Sequence, residues 1–289
     1  MPSRTLAHVE QTVGAFLQSR RARISPEEAG LVSRGRRRVP GLRREELAEL
    51  AGVSADYYVR LEQGRATNVS VAVLDAVARI LRLDDVEHQH LRNLVRGGRP
   101  SVRTAPAQVV RPELQRLLDL METVPAFVLG RRMDIIAWNA LADGLCRFGA
   151  MAFRERNAAR HTFLDPGART FYTDWETVAA ETVAYLRLDA GRHPEDPRLS
   201  ELVDELAVKD ADFRRLWAAQ EVKEKTYGAK LLQHPVVGAL ELGYETFAPP
   251  GDPGQLLVAY TADPDSPTAD RLRLLASWNA TDVSLRQHH

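Results

Sequence analysis

Apolar residues recur at helical spacing through the first third of the chain. In the clearest run, Leu47, Leu50 and Ala51 stand at positions i, i+3 and i+4, which predicts the apolar side of a short helix. Gly52 follows where a glycine commonly ends a helix, and Ser54 is a good N-cap for a second helix. Two short helices joined by a tight glycine-containing turn are typical of a helix-turn-helix, which places its second helix in the major groove of DNA.

An ordinary helical hairpin inside a bundle has the same local pattern, because any amphipathic pair of helices with a glycine between them looks similar. Three features favour DNA binding over that alternative. The spacing of small and apolar residues fits the close packing of the motif, arginines flank both of its ends, and further helical patterns precede and follow it. We therefore interpret residues 42–65 as a DNA-binding motif.

More helical segments surround the motif and predict an all-α bundle of five or six helices over residues 1–96. They are expected at residues 8–22, 25–31, 70–81 and 84–95. Ser25-Pro26 with Glu28 has the spacing of a capping box, which predicts the start of the second of these segments. His88 and His90 lie two residues apart on the last segment and cannot share a face, so we interpret both as surface residues rather than metal ligands.

A change of pattern predicts a second domain after a linker. Glycines and prolines with little apolar content between them indicate a linker over residues 97–111. Residues 112–289 then read as a helix, a short hairpin around Gly130, a helix capped by Asn139, further helices, three more strand-like runs and a last helix. This order predicts an α+β domain built on an antiparallel sheet of about five strands.

The overall charge of zero conceals an asymmetry between the two parts of the chain. Residues 1–99 contain 17 Lys or Arg against 12 Asp or Glu, a net charge of +5, and the remainder carries −5. Such an asymmetry is expected of a DNA-binding part joined to an effector part. Arg36, Arg37 and Arg38 form a basic run before the motif. A run of this kind is usually a solvated face, but its position favours contact with the phosphate backbone or the minor groove.

A single cysteine, Cys146, excludes an intramolecular disulfide and a cysteine-based zinc site. It stands among apolar residues, where a buried, inert thiol is expected. No run approaches the roughly eighteen apolar residues of a membrane span, and the N-terminus has no apolar signal core. We expect a cytoplasmic protein that uses neither a metal nor a cofactor and has no membrane partner.

The segment RRRVPGLRREELAELAGVSADYYVRLEQGR resembles the Cro/C1-type helix-turn-helix of the XRE family, and the resemblance covers about residues 8–96. Many relatives carry Ser or Thr followed by Gln at the start of the first motif helix, where this chain has Arg43 and Arg44. The hydroxyl cap is therefore missing, and Arg44 replaces a neutral phosphate-contacting amide with a cation.

The resemblance implies that residues at the start of the second motif helix read bases, with phosphate contacts on either side. Ala55, Asp56 and Arg60 match the base-reading positions, and Tyr57, Arg65 and Asn68 match positions that usually touch phosphates. With the basic run, the expected DNA contacts are Arg36, Arg37, Arg38, Arg43, Arg44, Ser54, Ala55, Asp56, Tyr57, Arg60, Arg65 and Asn68.

Four segments of the second part look like the MmyB/MltR-like ligand-binding domain, which has a PAS-like fold, over roughly residues 112–277. They are RRMDIIAWNALADGL, DPGARTFYTDWETVA, GRHPEDPRLSELVDELAVKDADFRRLW and HPVVGALELGYETF. The resemblance implies a fatty-acid-like ligand in an apolar pocket. Aromatic side chains are by default core, and the alternative is that they line this pocket while Asn139 or an arginine orients a polar head. The candidate ligand contacts are Phe127, Arg132, Trp138, Asn139, Tyr172, Trp175, Phe213, Trp217 and Tyr244.

Catalytic motifs are missing from the sequence: there is no Gly-rich phosphate loop, no G-x-S-x-G elbow and no H-E-x-x-H. The leading hypothesis is a homodimeric transcriptional regulator, not an enzyme, that binds a double-stranded DNA operator and responds to a small apolar ligand. Two alternatives remain open at this point. The second domain could serve only dimerisation, or it could be an enzyme fused to a DNA-binding module.

Overall fold

The computed structural model describes residues 12–31, 41–66, 68–96 and 108–286. These residues form two compact units, which we describe separately. Unit 1 contains the described residues up to Arg96 together with residues 187–205 and 214–224, and unit 2 contains the remaining described residues. The basic run Arg36, Arg37 and Arg38 and most of the predicted linker lie outside the described residues.

Unit 1 is helical, as the sequence predicts. Its N-terminal helices are α1 (Val13–Arg23), α2 (Arg44–Leu50), α3 (Ala55–Glu62), α4 (Val71–Ile80) and α5 (Asp85–Arg96). Serine hydroxyls cap two of them, since the Ser54 Oγ accepts from the Tyr57 N–H at 3.1 Å and the Ser70 Oγ accepts from the Val73 N–H at 3.3 Å.

The segment that begins at Ser25 differs from the prediction, because it forms turns instead of a helix. Both hydrogen bonds of the capping box are present, with the Ser25 N–H 2.8 Å from the Glu28 carboxylate and the Glu28 N–H 3.2 Å from the Ser25 hydroxyl. Gly30 then adopts a φ of +78°, which reverses the chain after one turn. A helix nucleus this short does not propagate.

The core of unit 1 contains residues that are distant in sequence. Phe16 and Leu17 of α1 pack in one cluster with Leu47 of α2, and Leu188 and Val222 belong to the same cluster. His90 is 1% exposed and packs edge-on against Phe16 at 5.1 Å between ring centroids, so its interpretation as a surface residue is wrong. Helical spacing shows which residues share a face, but it does not show that a second segment covers that face.

The burial of His90 predicts a pH dependence for unit 1. Desolvation, and then the charges of Arg187, Arg20 and Arg192, lower the pKa of His90 from 6.5 to about 3. Between these values the unfolded chain binds a proton that the folded chain does not, so stability falls as the pH is lowered through this window. We expect His90→Leu to flatten the unfolding free energy against pH between pH 6 and pH 4, by up to about 1.4 kcal/mol per pH unit. Denaturant titrations at several pH values measure both slopes, and identical slopes would contradict the assignment.

Unit 2 is built on a five-stranded antiparallel sheet with the order β2-β1-β5-β4-β3, which confirms the predicted α+β class. The strands are β1 (Ala126–Leu129), β2 (Ile135–Trp138), β3 (Tyr227–His234), β4 (Gly238–Phe247) and β5 (Leu256–Thr261). The predicted hairpin pairs Phe127 with Trp138, and β5 pairs with β1 so that Val258 lies opposite Phe127. Among the described strands, the first and the last in chain order are therefore neighbours in the sheet.

Helices cover both faces of the sheet in unit 2. The remaining α-helices of the described residues, three of which contribute to both units, are α6 (Pro112–Leu120), α7 (Ala140–Cys146), α8 (Ala158–Leu164), α9 (Ala168–Phe171), α10 (Trp175–Arg192), α11 (Pro197–Lys209), α12 (Ala211–Ala218) and α13 (Pro267–Arg286). On one face, Leu114 and Leu118 of α6 pack against Val128. On the other, α7 and α13 contribute to a larger apolar cluster. None of the described helices has the length and hydropathy needed to span a bilayer.

Candidate nucleic-acid interface and ligand site

The turn between α2 and α3 is fixed by a complete Schellman motif. Gly52 has a φ of +69°, its N–H donates to the Glu49 carbonyl at 3.1 Å, and the Val53 N–H donates to the Ala48 carbonyl at 3.0 Å. Glycine reaches this left-handed conformation without the strain that a side chain would bring. The same motif ends α3 at Gly64, so both motif helices have defined ends.

The α3 helix presents different residues to the core and to solvent. Tyr58 is 0% exposed and Leu61 is 2% exposed, whereas Ala55, Asp56 and Arg60 lie exposed on the helix surface. An exposed N-terminal turn and a buried opposite face are what a recognition helix needs in order to enter a groove. Arg43, Arg65 and Asn68 are also exposed, and Tyr57 is half-buried.

A buried carboxylate joins three helices of unit 1. The Glu62 side chain at the end of α3 is 4% exposed and accepts from Arg44 Nε at 2.9 Å and Nη2 at 2.7 Å. Arg21 of α1 lies 3.5 Å from the same oxygen. Burial and the Glu62 charge raise the pKa of the neighbouring Tyr58 hydroxyl well above its ordinary value. Glu62 therefore fixes α3 relative to α1 and α2.

The start of α2 has no hydroxyl cap but keeps one hydrogen bond of a capping box. The Glu46 carboxylate accepts from the Arg43 N–H at 2.7 Å, which is the reciprocal half of a capping box. Arg44 keeps an exposed side-chain fraction of 49% while it is paired with Glu62. Its guanidinium therefore has a structural partner in addition to the phosphate contact predicted for it.

Aromatic rings form a continuous row on the face of the unit 2 sheet opposite α6. Phe148 lies 5.7 Å from Trp138 and 5.3 Å from Phe127, and Tyr260 lies 5.8 Å from Phe127 and 6.3 Å from Tyr244. Aliphatic side chains from the sheet, α7 and α13 surround this row, and we call the whole group the aromatic sheet cluster. Its aromatic and aliphatic composition is what both a filled core and the lining of an apolar ligand site require.

Polar groups are embedded at one side of the aromatic sheet cluster. The Tyr172 hydroxyl lies 3.5 Å from Nδ1 of His161, whose Nε2 lies 3.3 Å from an Asp165 carboxylate oxygen. Burial raises the pKa values of the Tyr172 and Tyr260 hydroxyls well above their ordinary range. Cys146 is half-buried, not fully buried as predicted, and desolvation of its thiol raises the pKa of that group to about 12. The two tyrosine hydroxyls are neutral at pH 7, as ordinary tyrosine hydroxyls are, and can donate or accept hydrogen bonds.

Comparison with known families identifies both parts of the chain. Residues 110–275 match the MmyB-like transcription regulator ligand binding domain, and residues 12–91 match a helix-turn-helix domain. The chain belongs to the MmyB-like transcription regulator family. This regulator is thus a DNA-binding transcription regulator with a ligand-binding domain, and neither matched family is an enzyme family. A search among curated proteins finds no match to the chain.

Only part of the predicted ligand set of the regulator lies together. Phe127, Trp138, Tyr172 and Tyr244 belong to the aromatic sheet cluster. Trp175 and Phe213 instead pack on Phe163, at 5.7 Å and 5.1 Å between ring centroids. Trp217 lies in unit 1, where the Arg187 guanidinium stacks on its ring at 4.1 Å. The structure therefore divides the nine predicted residues among separate environments.

Asn139 and Arg132 of the regulator are held by protein partners. The Asn139 Oδ1 accepts from the Ala126 and Ala142 N–H groups at 3.1 Å and 2.9 Å, and its Nδ2 donates to the Met121 and Val124 carbonyls at 2.8 Å and 2.7 Å. An amide with all four positions used has no capacity left for a ligand head group. The Arg132 guanidinium, in turn, is paired with Asp134 at 2.9 Å.

Several residues in or beside the aromatic sheet cluster were not among the predicted ligand contacts. Tyr260 was detectable in principle, because Val258 and Tyr260 alternate on one face of β5. Phe148 follows Arg147, which ends α7 with a φ of +56°, and no sequence pattern marks that turn. His161 lies in α8 and Tyr172 directly follows α9, so only the tertiary structure shows that the two side chains are in contact.

Proposed function

We propose that the MmyB-like domain binds a small apolar ligand with a fatty-acid-like chain and that this ligand modulates operator binding by a homodimer. The aromatic sheet cluster carries this proposal, because it combines apolar rings with the neutral hydroxyls of Tyr172 and Tyr260. Apolar walls with a few convergent polar groups suit a ligand that has a long tail and a small polar head. A ligand shifts operator occupancy only through different affinities for two protein arrangements.

Comparison of native and denaturing mass spectra of freshly purified protein tests the ligand. We expect a non-covalent mass that is lost on unfolding and that matches a fatty-acid-like compound. The native spectrum also reports the oligomeric state, and helix-turn-helix regulators usually bind palindromic half-sites as dimers. No excess mass, together with no thermal shift from a panel of fatty acids, would contradict the ligand proposal.

A second candidate function is dimerisation alone, with the aromatic sheet cluster as a filled core. It is favoured by apolar side chains exposed on β3 and β4, among which Tyr227 is 71%, Phe247 55% and Leu231 46% exposed. This alternative predicts a dimer without bound compound, which the same mass spectra distinguish.

For the DNA-binding domain, we propose that Arg60 reads bases and that Arg65 contacts phosphate. Two DNAs are compared: DNA selected from a random library by the wild-type chain, and unselected DNA. The Arg60→Ala variant is expected to lose affinity for the selected DNA, so that the difference in binding free energy between the two DNAs falls by about 1–3 kcal/mol. Arg65→Ala is the matched control, because it also removes one exposed arginine. It is expected to weaken binding to both DNAs equally and to reduce the salt slope by about one. Equal losses for Arg60→Ala on both DNAs would rule out base reading.

A further inference from the structure

The α10 helix contributes to both units of the chain. Its residues 175–186 belong to unit 2, and its residues 187–192 belong to unit 1. Leu188 is 1% exposed and Val222 is 8% exposed, and both join the core cluster of Phe16 and Leu17 in α1. The match to the ligand-binding domain family, residues 110–275, therefore includes residues that complete the core of the DNA-binding unit.

Gln220 holds two buried arginines of unit 1. Arg20 of α1 donates from Nη2 to the Gln220 backbone carbonyl at 2.7 Å, and Arg187 of α10 donates from Nη1 to the Gln220 Oε1 at 2.7 Å. Each of the two arginines is 1% exposed. Arg20 also lies 2.8 Å from a Glu87 oxygen of α5. Movement of Arg187 would thus disturb the partner of Arg20, since buried polar groups are costly to leave unsatisfied.

The α1 helix, which makes these contacts, also packs against α3, the second helix of the helix-turn-helix. Arg21, next to Arg20, lies 3.5 Å from the Glu62 carboxylate at the end of α3. At Gly14 the two helices approach so closely that an added Cβ would lie 2.3 Å from the Glu62 carbonyl oxygen. The position of α1 therefore constrains the position of α3.

Gly191 of α10 lies directly against His90 of α5. A Cβ at Gly191 would lie 2.3 Å from Cε1 and 2.4 Å from Nδ1 of the His90 ring. The ring is 1% exposed and packs on Phe16, so it has little room to move. Glycine is thus required at this helical position by close packing, although alanine has the higher helix propensity by about 1 kcal/mol.

We propose that residues 187–192 of α10 are a positioning element that couples the ligand-binding domain to the helix-turn-helix, through the Gly191–His90 contact and through Gln220 with its two arginines. This inference rests on the proposed function only for what the ligand does to α10. The contacts themselves join α10 to α1 and α5, and a chain of packed side chains and hydrogen bonds of this kind can carry coupling between two sites.

Linkage allows the coupling to be tested without any ligand. If α10 couples the two domains, DNA binding changes the stability of α10, because coupling between two sites is reciprocal. Hydrogen exchange of the full chain is measured with and without DNA selected from a random library by the wild-type chain. We expect DNA to change the hydrogen-exchange rate of peptides covering residues 175–186 by about fivefold or more. No change in this segment of the wild-type chain would overturn the proposal.

Gly191→Ala is the variant that tests the Gly191–His90 contact, and His90→Ala is the second change that should remove the resulting steric clash. We expect Gly191→Ala at saturating DNA to lose the DNA-induced change in residues 175–186, and the double variant with His90→Ala to regain it, since the smaller side chain makes room for the methyl group. A full DNA-induced change in Gly191→Ala would contradict the proposal. Should that variant not fold, Gln220→Ala must reduce the change or the proposal fails, because it removes the Oε1 acceptor of Arg187 and keeps the backbone carbonyl that accepts from Arg20. Because no ligand is added, the mass spectra decide the proposed ligand function independently of these outcomes.

Discussion

Replacing Glu62 with alanine is expected to destabilise the DNA-binding unit by about 3 kcal/mol, the lower end of the cost of breaking a buried ion pair. The carboxylate is 4% exposed and accepts two hydrogen bonds from Arg44, with Arg21 at 3.5 Å. Its removal leaves two guanidinium groups without their shared partner. Arg44 is 49% exposed and regains hydration, which keeps the cost below that of a fully buried pair.

Urea unfolding followed by circular dichroism measures this loss, and hydrogen exchange of α1, α2 and α3 assigns it to the unit. Glu62→Gln is the matched control, because it keeps the volume and one acceptor oxygen while it removes the charge. We expect its loss to be clearly smaller. A double-mutant cycle with Arg44→Ala then isolates the pair. A Glu62→Ala variant as stable as the wild type would show that α3 is held by apolar packing alone.

Asn139→Ala is expected to have a comparable effect on the ligand-binding domain, about 3 kcal/mol. The side chain is 3% exposed and makes four hydrogen bonds to backbone groups before β1, within β1 and in α7. Each such bond contributes about 1 kcal/mol, and the loss of Asn139 also leaves buried backbone groups unsatisfied. The expected result is a lower midpoint of thermal unfolding.

Asn139→Ser separates the helix cap from the other hydrogen bonds. Serine caps helices as well as asparagine does, so it retains the bond to the Ala142 N–H and recovers about 1 kcal/mol of the loss. Both variants are compared with the wild type by differential scanning calorimetry. Equal stability of Asn139→Ser and the wild type would mean that the three remaining bonds contribute nothing.

Local sequence signals predicted the elements of this fold well. Ser54 and Ser70 cap the helices expected of them, Gly52 ends α2, and the hairpin before Asn139 forms as its alternating pattern indicates. These signals succeed because caps, turns and amphipathic faces depend on neighbours within a few residues. The family resemblance supplied what such signals do not contain, namely the function of each domain.

Contacts between segments that are distant in sequence could not be predicted from these local patterns. His90 and Trp217 have ordinary helical contexts, and only the tertiary structure shows that unit 1 buries both of them. Asn139 was correctly predicted to cap a helix, but its two hydrogen bonds to the loop before β1 are visible only in the structure. The sequence pattern of the aromatic residues also did not show whether they fill a core or line a ligand site. The DNA contacts remain predictions, and those in the basic run lie outside the described residues.

We propose above that a small apolar ligand in the MmyB-like domain changes the affinity of the regulator for its operator. It is tested most directly by the dissociation constant for DNA selected by the wild-type chain, measured at one salt concentration with protein stripped of bound compound and with protein reloaded with the compound it released. We expect the two dissociation constants to differ by at least about fivefold, which corresponds to the lower end of ordinary coupling energies. Equal constants for protein shown to be empty and protein shown to be loaded would contradict it.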